Sequence, residues 1–379
     1  MRSRKIRIRW KTAFLALLLL TLPACREKAE VLHLPEPSPL LSSRLHTGSL
    51  DANSGREATD LFLQRAMTGP YGIYTNYLET NQAGELASGH EVLSESASLS
   101  MRIAARTGQR ERFEAAWRTA RDTFEQEWGF SYRYSPKQNK AYAMGASVDD
   151  LRMIRALYEA GEAFQEPAYS READKLGERF AQYNVSAGSL RDFYDSVSHK
   201  TNTFLTLCYA DLRTLQQLPA SAKPQSLLEN TLSTVEKGYL SDDFPFYETR
   251  YDYKDKRYES ESIRTVESLL TILHLTEVGR EREASIRFIK EQTLKGALYG
   301  EYTRDGKPMN QVESTAIYAI AAMIGAERGD AQLYEASLRR LEAFRVTDTA
   351  SPLFGGFGNA TTKEAYSFDN LMALLAYTY

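Results

Sequence analysis

The glutamate of Ser94-Glu95-Ser96-Ala97-Ser98 stands on a run so rich in small side chains that a ligand can come close to the backbone around it. A carboxyl group in such a place can hold a proton and release it, which is general acid chemistry. Hydrolysis of a sugar acetal needs two carboxyl groups in one cleft: one protonates the leaving oxygen, and the other activates water or attacks directly. Further carboxylates occupy comparable places in Ser147-Val148-Asp149-Asp150, Asp195-Ser196-Val197-Ser198, Glu261-Ser262, Glu313-Ser314-Thr315 and Ser367-Phe368-Asp369-Asn370. Together these make six clusters at intervals of about fifty residues, each on or just before a small-residue and apolar run with helical spacing.

Such a spacing leaves room between clusters for the rest of one helix, a turn, a second amphipathic helix and a return loop. Apolar periodicity and caps predict helices over 57–68, 89–106, 109–126, 147–163, 170–183, 198–216, 224–237, 259–276, 280–293, 310–326, 330–344 and 366–378. Short strands are expected only around Phe130-Ser131-Tyr132-Arg133-Tyr134 and Leu298-Tyr299-Gly300-Glu301-Tyr302. The expected fold is therefore all-α, an (α/α)6 barrel of six helical hairpins. If the first helix of each pair lines the inside, all six run the same way and their N-terminal ends, with the clusters, meet at one mouth. Carboxylates, hydroxyls and helix-dipole ends then converge on one cavity suited to a carbohydrate.

Tyrosine is abundant at 23 residues, and many fall in the longer loops that join one pair to the next. These loops hold Tyr74, Tyr77 and Trp128, candidates for stacking on the apolar face of a sugar. Aromatic loops also cap the open end of any helical ring.

The chain opens with six basic side chains and no acid over residues 1–11, followed by an apolar run from Ala13 to Leu22 that is too short to span a membrane. This reads as an export signal, residues 1–24. Its end, Leu22-Pro23-Ala24-Cys25, resembles the bacterial lipobox, which implies a lipid on Cys25 and anchoring to the outer face of the cell membrane. Residues 25–55, with Pro35-Glu36-Pro37-Ser38-Pro39, read as a flexible linker, and 56–379 as one domain. Removal of the signal leaves 41 basic against 50 acidic side chains, a balance that argues against nucleic acid as a partner. Cys208 is then the one cysteine besides Cys25, and the five histidines lie far apart, so neither a disulfide nor a metal or cofactor motif is expected.

The segment Val92-Leu93-Ser94-Glu95-Ser96-Ala97-Ser98-Leu99-Ser100-Met101 resembles the signature helix of glycoside hydrolase family 8, whose members have an (α/α)6 barrel and inverting chemistry. The resemblance implies that Glu95 is the general acid. Ala146-Ser147-Val148-Asp149-Asp150-Leu151 is similar to the family's Ala-Thr-Asp-Ala-Asp-Leu element and implies a contact from Asp150 to the distorted sugar, with Asp149 beside it. Ser260-Glu261-Ser262-Ile263-Arg264-Thr265 matches the Tyr-Asp-Ala-x-Arg element, which implies Glu261 as the base, near Arg264. Tyr366-Ser367-Phe368-Asp369-Asn370-Leu371 resembles the closing Tyr-Asp-Asn helix and brings Asp369 to the site. Within the family the pattern is similar to Gram-positive lipoproteins encoded with exopolysaccharide synthesis machinery, which implies a secreted polysaccharide as substrate and that machinery as a partner.

The residues alone also admit structural roles. Asp149 and Asp150 could cap their helix with Ser147, Glu261 could pair with Arg264 one turn on, and Asp369 could be structural. Two other functions remain open: a ring that holds polysaccharide without cutting it, and a polysaccharide lyase on a similar toroid.

Overall fold

The computed structural model describes residues 39–41, 52–222 and 225–379; the export signal, Cys25 and most of the linker lie outside the described residues. Twelve α-helices occur among them: α1 (Ala52–Ala66), α2 (Ser94–Arg106), α3 (Arg110–Phe124), α4 (Ser147–Ala163), α5 (Pro167–Asn184), α6 (Leu212–Gln217), α7 (Gln225–Lys237), α8 (Thr265–Glu277), α9 (Glu283–Lys295), α10 (Thr315–Arg328), α11 (Ala331–Glu342) and α12 (Ser367–Ala376). The even-numbered helices form an inner ring, each packed on the next, with α12 closing onto α2; the odd-numbered helices pack outside them. This is the expected (α/α)6 barrel.

Sequence decides which helix goes inside. α10 is buried on every side from Thr315 to Glu327, because Ala, Ile and Gly leave neighbours room on all faces. α3 buries only Phe113, Trp117, Ala120 and Phe124, one stripe at helical spacing, and turns its charged face to water.

The helix expected over 198–216 is mostly replaced. Lys200–Thr201 and Phe204–Thr206 are strands, Leu207–Tyr209 is a 3-10 turn, and α6 keeps under two turns. β-branched Thr201, Thr203 and Thr206 favour extended backbone, and the Asp192 carboxylate accepts both the amide and the hydroxyl of Thr206 at 2.6 Å. Asp211 then starts α6 by accepting the Thr214 amide at 2.9 Å. The helix expected over 259–276 loses its first turn in the same way, because Ile263–Arg264 pairs with Glu301–Tyr302. Both regions expected to hold strands contain them, and the other loops before inner helices add further strands of two or three residues.

Inner helices point the same way, as contacts between their first turns demonstrate. Ser96 Oγ meets Ser367 Oγ at 3.0 Å, joining the starts of α2 and α12, and the Ala316 amide of α10 donates to Asp369 Oδ1 at 2.9 Å. The opposite end of the ring is closed by buried charge. Arg102 of α2 donates to Glu159 of α4 at 2.8 and 3.0 Å, Arg155 of α4 to Glu277 of α8 at 2.9 Å, and Arg213 of α6 lies 3.6 Å from Glu327 of α10. Leu40 is buried against this end, its amide donating to Glu162 at 2.8 Å while Arg213 donates to the Pro39 carbonyl at 2.7 Å. The barrel thus begins to be built before residue 56.

Candidate active site

Glu95 enters the first turn of α2 from the strand Val92–Leu93, which pairs with Arg133–Ser135 and so fixes where the helix starts. It opens into a cavity of about 300 Å³ lined, among others, by Tyr132, Val148, Asp149, Arg152, Cys208 and Tyr209. Val266 and Leu270 of α8 and Phe368 of α12 also line it. The mouth-side ends of four inner helices, α2, α4, α8 and α12, thus converge on this cavity, while α6 and α10 contribute no side chain to it.

The polar core of that cavity is a chain of four side chains. Ser94 Oγ donates to Asp149 Oδ2 at 2.8 Å, Arg152 Nη1 donates to Asp149 Oδ1 at 2.9 Å, and the same nitrogen lies 3.5 Å from Glu95 Oε2. The Glu95 side chain keeps 26% of its surface open to the cavity. Burial pushes its carboxyl up to about 7, against the pull of the Arg152 guanidinium and with added help from the negative charge of Asp149. The start of α2 favours the ionised form through its dipole, so desolvation wins here over both the helix and the cation. The Asp149 carboxyl is also pushed up by burial, opposed by Arg152 and by the Ser94 hydrogen bond. An uncharged carboxyl beside an arginine-held carboxylate can give a proton to an oxygen placed in the cavity.

Asp150 is not part of this arrangement. Its carboxylate turns outward between α4 and α5, where Oδ1 accepts the Phe130 amide and Oδ2 accepts Asn184 Nδ2, both at 3.2 Å. Its approach to the loop requires a glycine: Gly129 has φ of +149°, and a Cβ there would fall 2.7 Å from Asp150 Oδ2. Burial pushes this carboxyl up to about 8. Asp149 and not Asp150 thus lines the Glu95 cavity, since adjacent positions on a helix point about 100° apart.

Glu261 is likewise absent from the walls of the Glu95 cavity. It is exposed, and lines a separate groove of about 600 Å³ with Arg250, Arg257, Arg264, Glu267 and Arg304. Arg264 is exposed there and pairs with Glu267 at 3.5 Å rather than with Glu261. Asp369 spends one oxygen on the first turn of α10, as described, and burial raises its carboxyl. Trp128 is buried, with its ring 6.0 Å from that of Tyr194, and so is no open platform. Tyr74 and Tyr77 are half-buried on the loop before α2, with Tyr74 stacked on His90 at 3.9 Å. Neither lines the cavity.

The aromatic walls come instead from Tyr132, Tyr209 and Phe368. Phe368 sits inside one of the six polar clusters and Tyr132 inside an expected strand, so their positions were readable. Tyr209 was hidden in the misread 198–216 stretch. Arg152 carried a weaker signal: it lies one helical turn beyond Asp149, where it can pair with it.

Asp211, His274 and Glu277 offer ligand atoms within 4.8 Å of one another at the closed end of the ring. Arg155 donates to Glu277 and lies 3.5 Å from Asp211, so a cation already occupies the electrostatic role a metal would take. The donor set does not fit a metal ion.

Comparison with known proteins places this geometry. No family model matches the chain. A Bacillus subtilis protein named "Putative lipoprotein YdaJ" is 25% identical over 350 residues, covering 89% of this chain and 94% of the relative. A structure described as a novel α-amylase from Clostridium perfringens superposes with a TM-score of 0.80 and 28% identity, over 88% of this chain and 99% of that one. Endoglucanase Cel10 of Klebsiella pneumoniae, a family 8 glycosyl hydrolase, superposes over 75% of this chain and 97% of its own with a TM-score of 0.56 at 14% identity. This chain has the fold of the family 8 glycosyl hydrolases. In that fold Glu95 and Asp149 occupy the first turns of two neighbouring inner helices at the mouth of the barrel.

Proposed function

We propose that the protein is a glycosidase that hydrolyses a polysaccharide, with Glu95 as the general acid and inversion at the anomeric carbon. The observation that carries this reading is the protonated-range carboxyl of Glu95, held at about 7 in a cavity with Arg152 and Asp149. In this reading the glycosidic oxygen sits at Glu95 and receives its proton as the bond to the anomeric carbon breaks. Asp149 accepts a hydroxyl of the sugar at the cleavage point, and Arg152 favours its ionised form and holds it in place. Tyr132, Tyr209 and Phe368 supply apolar surface for the ring.

The substrate we propose is the exopolysaccharide of the producing cell. The protein would be exported and held by a lipid on Cys25 at the outer membrane face, beside the machinery that makes the polymer. The signal at residues 1–24 followed by Cys25 and the name of the B. subtilis relative support the anchoring. An α-glucan is the second substrate to test, because a structure that superposes with a TM-score of 0.80 at 28% identity is described as an α-amylase.

The test is to incubate the detergent-solubilised full-length protein with the host exopolysaccharide, soluble starch and carboxymethylcellulose, and to count reducing ends. Cleavage of one of these polymers is expected, with Glu95→Gln slower by a factor on the order of 10²–10⁴ and binding kept. Binding without new ends would instead make it a binding protein, and products absorbing in the near ultraviolet would make it a lyase.

A further inference from the structure

An acid in the cavity needs a base across it, and the resemblance at Glu261 does not supply one there. We infer that Glu267 is the base that activates the attacking water; this rests on the hydrolase reading above. The ring order puts α8 directly opposite α2, three positions around a circle of six. Glu267 belongs to the first turn of α8, the same level of the barrel that Glu95 occupies on α2. Its neighbours Val266 and Leu270 line the Glu95 cavity, and Glu267 itself lines the groove with Ser260, Ser262 and Arg264. It therefore stands on the helix across the ring from the acid, next in the chain to a residue of the acid's own cavity.

Its hydrogen bonding supports the role. Glu267 Oε2 is buried without a protein partner, and Oε1 has only the exposed Arg264 at 3.5 Å. A buried carboxylate oxygen lacking a donor is costly unless water or a ligand hydroxyl supplies one. The other acids around the mouth are committed: Asp149 to Ser94 and Arg152, Asp369 to the Ala316 amide, and Asp192 to Thr206. Glu261 is open to bulk water, which leaves nothing to hold a single water molecule in line with the anomeric carbon.

In the step this assigns, Glu267 takes a proton from water while the water oxygen bonds to the anomeric carbon. At the same time Glu95 gives its proton to the departing glycosidic oxygen. One water is consumed, one new reducing end of inverted configuration forms, and solvent returns the proton from Glu267 to Glu95.

The experiment compares Glu267→Gln, Glu267→Ala, Glu261→Gln and Glu95→Gln on whichever of host exopolysaccharide, soluble starch and carboxymethylcellulose the wild type cleaves. Glu267→Gln is expected to lose a factor on the order of 10²–10⁴ in reducing-end release with its thermal midpoint and polymer binding retained. Sodium azide should restore turnover to Glu267→Ala and yield a glycosyl azide, because azide needs no base; it should not rescue Glu95→Gln, whose leaving oxygen still lacks a proton. A loss that falls on Glu261→Gln and spares Glu267→Gln overturns the assignment, as does the absence of azide rescue in a folded Glu267→Ala. A wild type that cleaves none of the polymers overturns the hydrolase reading itself, and the base with it.

Discussion

Replacing Asp149 by Asn should move the alkaline limb of activity to lower pH, and the size of the movement follows from three side chains. A glutamic acid in water titrates near 4.3, so at pH 7 only about one molecule in five hundred keeps its proton. With Glu95 raised to about 7, half of the molecules keep it at that pH. Activity is therefore held at acid pH and lost as pH rises through about 7, because the acid must be protonated to act. Arg152 Nη1 lies 3.5 Å from Glu95 Oε2, a distance at which a full cation is worth roughly 4–5 kcal/mol to the carboxylate at an effective dielectric of about 20. Asp149 at 2.9 Å from the same nitrogen now offsets much of that pull. Freeing even a third of it, about 1.4 kcal/mol, favours the ionised Glu95 and lowers the limb by about one pH unit. The measurement is kcat/KM against pH for wild type and Asp149→Asn, read for the position of the limb rather than its height, since the variant also loses a sugar contact. A limb that stays at about 7, or moves upward, would refute the claim that Asp149 and Arg152 jointly set the proton affinity of Glu95.

Asp150→Asn should leave the position of that limb unchanged and raise stability at neutral and alkaline pH. Asp150 is buried with its carboxyl pushed up to about 8, so ionising it costs the folded state as pH climbs from about 4 to 8; thermal midpoints across that range should show the fall flattened in the variant. Arg155→Met should lower stability by about 3–5 kcal/mol in denaturant unfolding, because Glu277 and Asp211 would be left buried without their cation, while Glu159 keeps Arg102 and Arg106. Cys25→Ala should move the full-length protein from the membrane fraction to the soluble fraction on cell fractionation; unchanged retention would exclude a lipid at that residue.

The architecture was legible because it repeats. Five of the six polar clusters stand at or just before the start of an inner helix, whereas Asp195–Ser198 lies on a strand and loop well before α6; α4 begins and ends where periodicity puts it. The stretch over 198–216 was misread because its decisive partner is remote: Asp192 holds Thr206 extended from outside the window in which periodicity is judged. The same limit applies to the site. Glu95 could be picked out from its own neighbours, whereas the choice between Asp149 and Asp150 depends on a rotation about the helix axis that Gly129, twenty residues earlier, determines by admitting one of the two carboxylates. Glu261 matched a sequence pattern, yet the strand Ile263–Arg264 pulls that segment off the start of α8 and onto the rim.

The two ends of the ring treat buried charge in opposite ways, and the difference separates folding from chemistry. At the closed end every inner helix from α2 to α10 contributes a charged side chain: the Glu159, Asp211 and Glu277 carboxyls are held below their ordinary range, chiefly by Arg102 or Arg155 overcoming the effect of burial, whereas burial raises that of Glu327, which lies 3.6 Å from Arg213. At the mouth the balance is left short of cations. Arg152 alone faces both Glu95 and Asp149, while Glu267 has only an exposed Arg264, and all three carboxyls are pushed up instead of down. The same inner helices carry both sets, so the paired end can hold the barrel rigid while the underpaired end stores carboxyls ready to exchange protons. A cation added at the mouth by substitution would relieve that shortage, which makes it a change that gains stability and loses catalysis together.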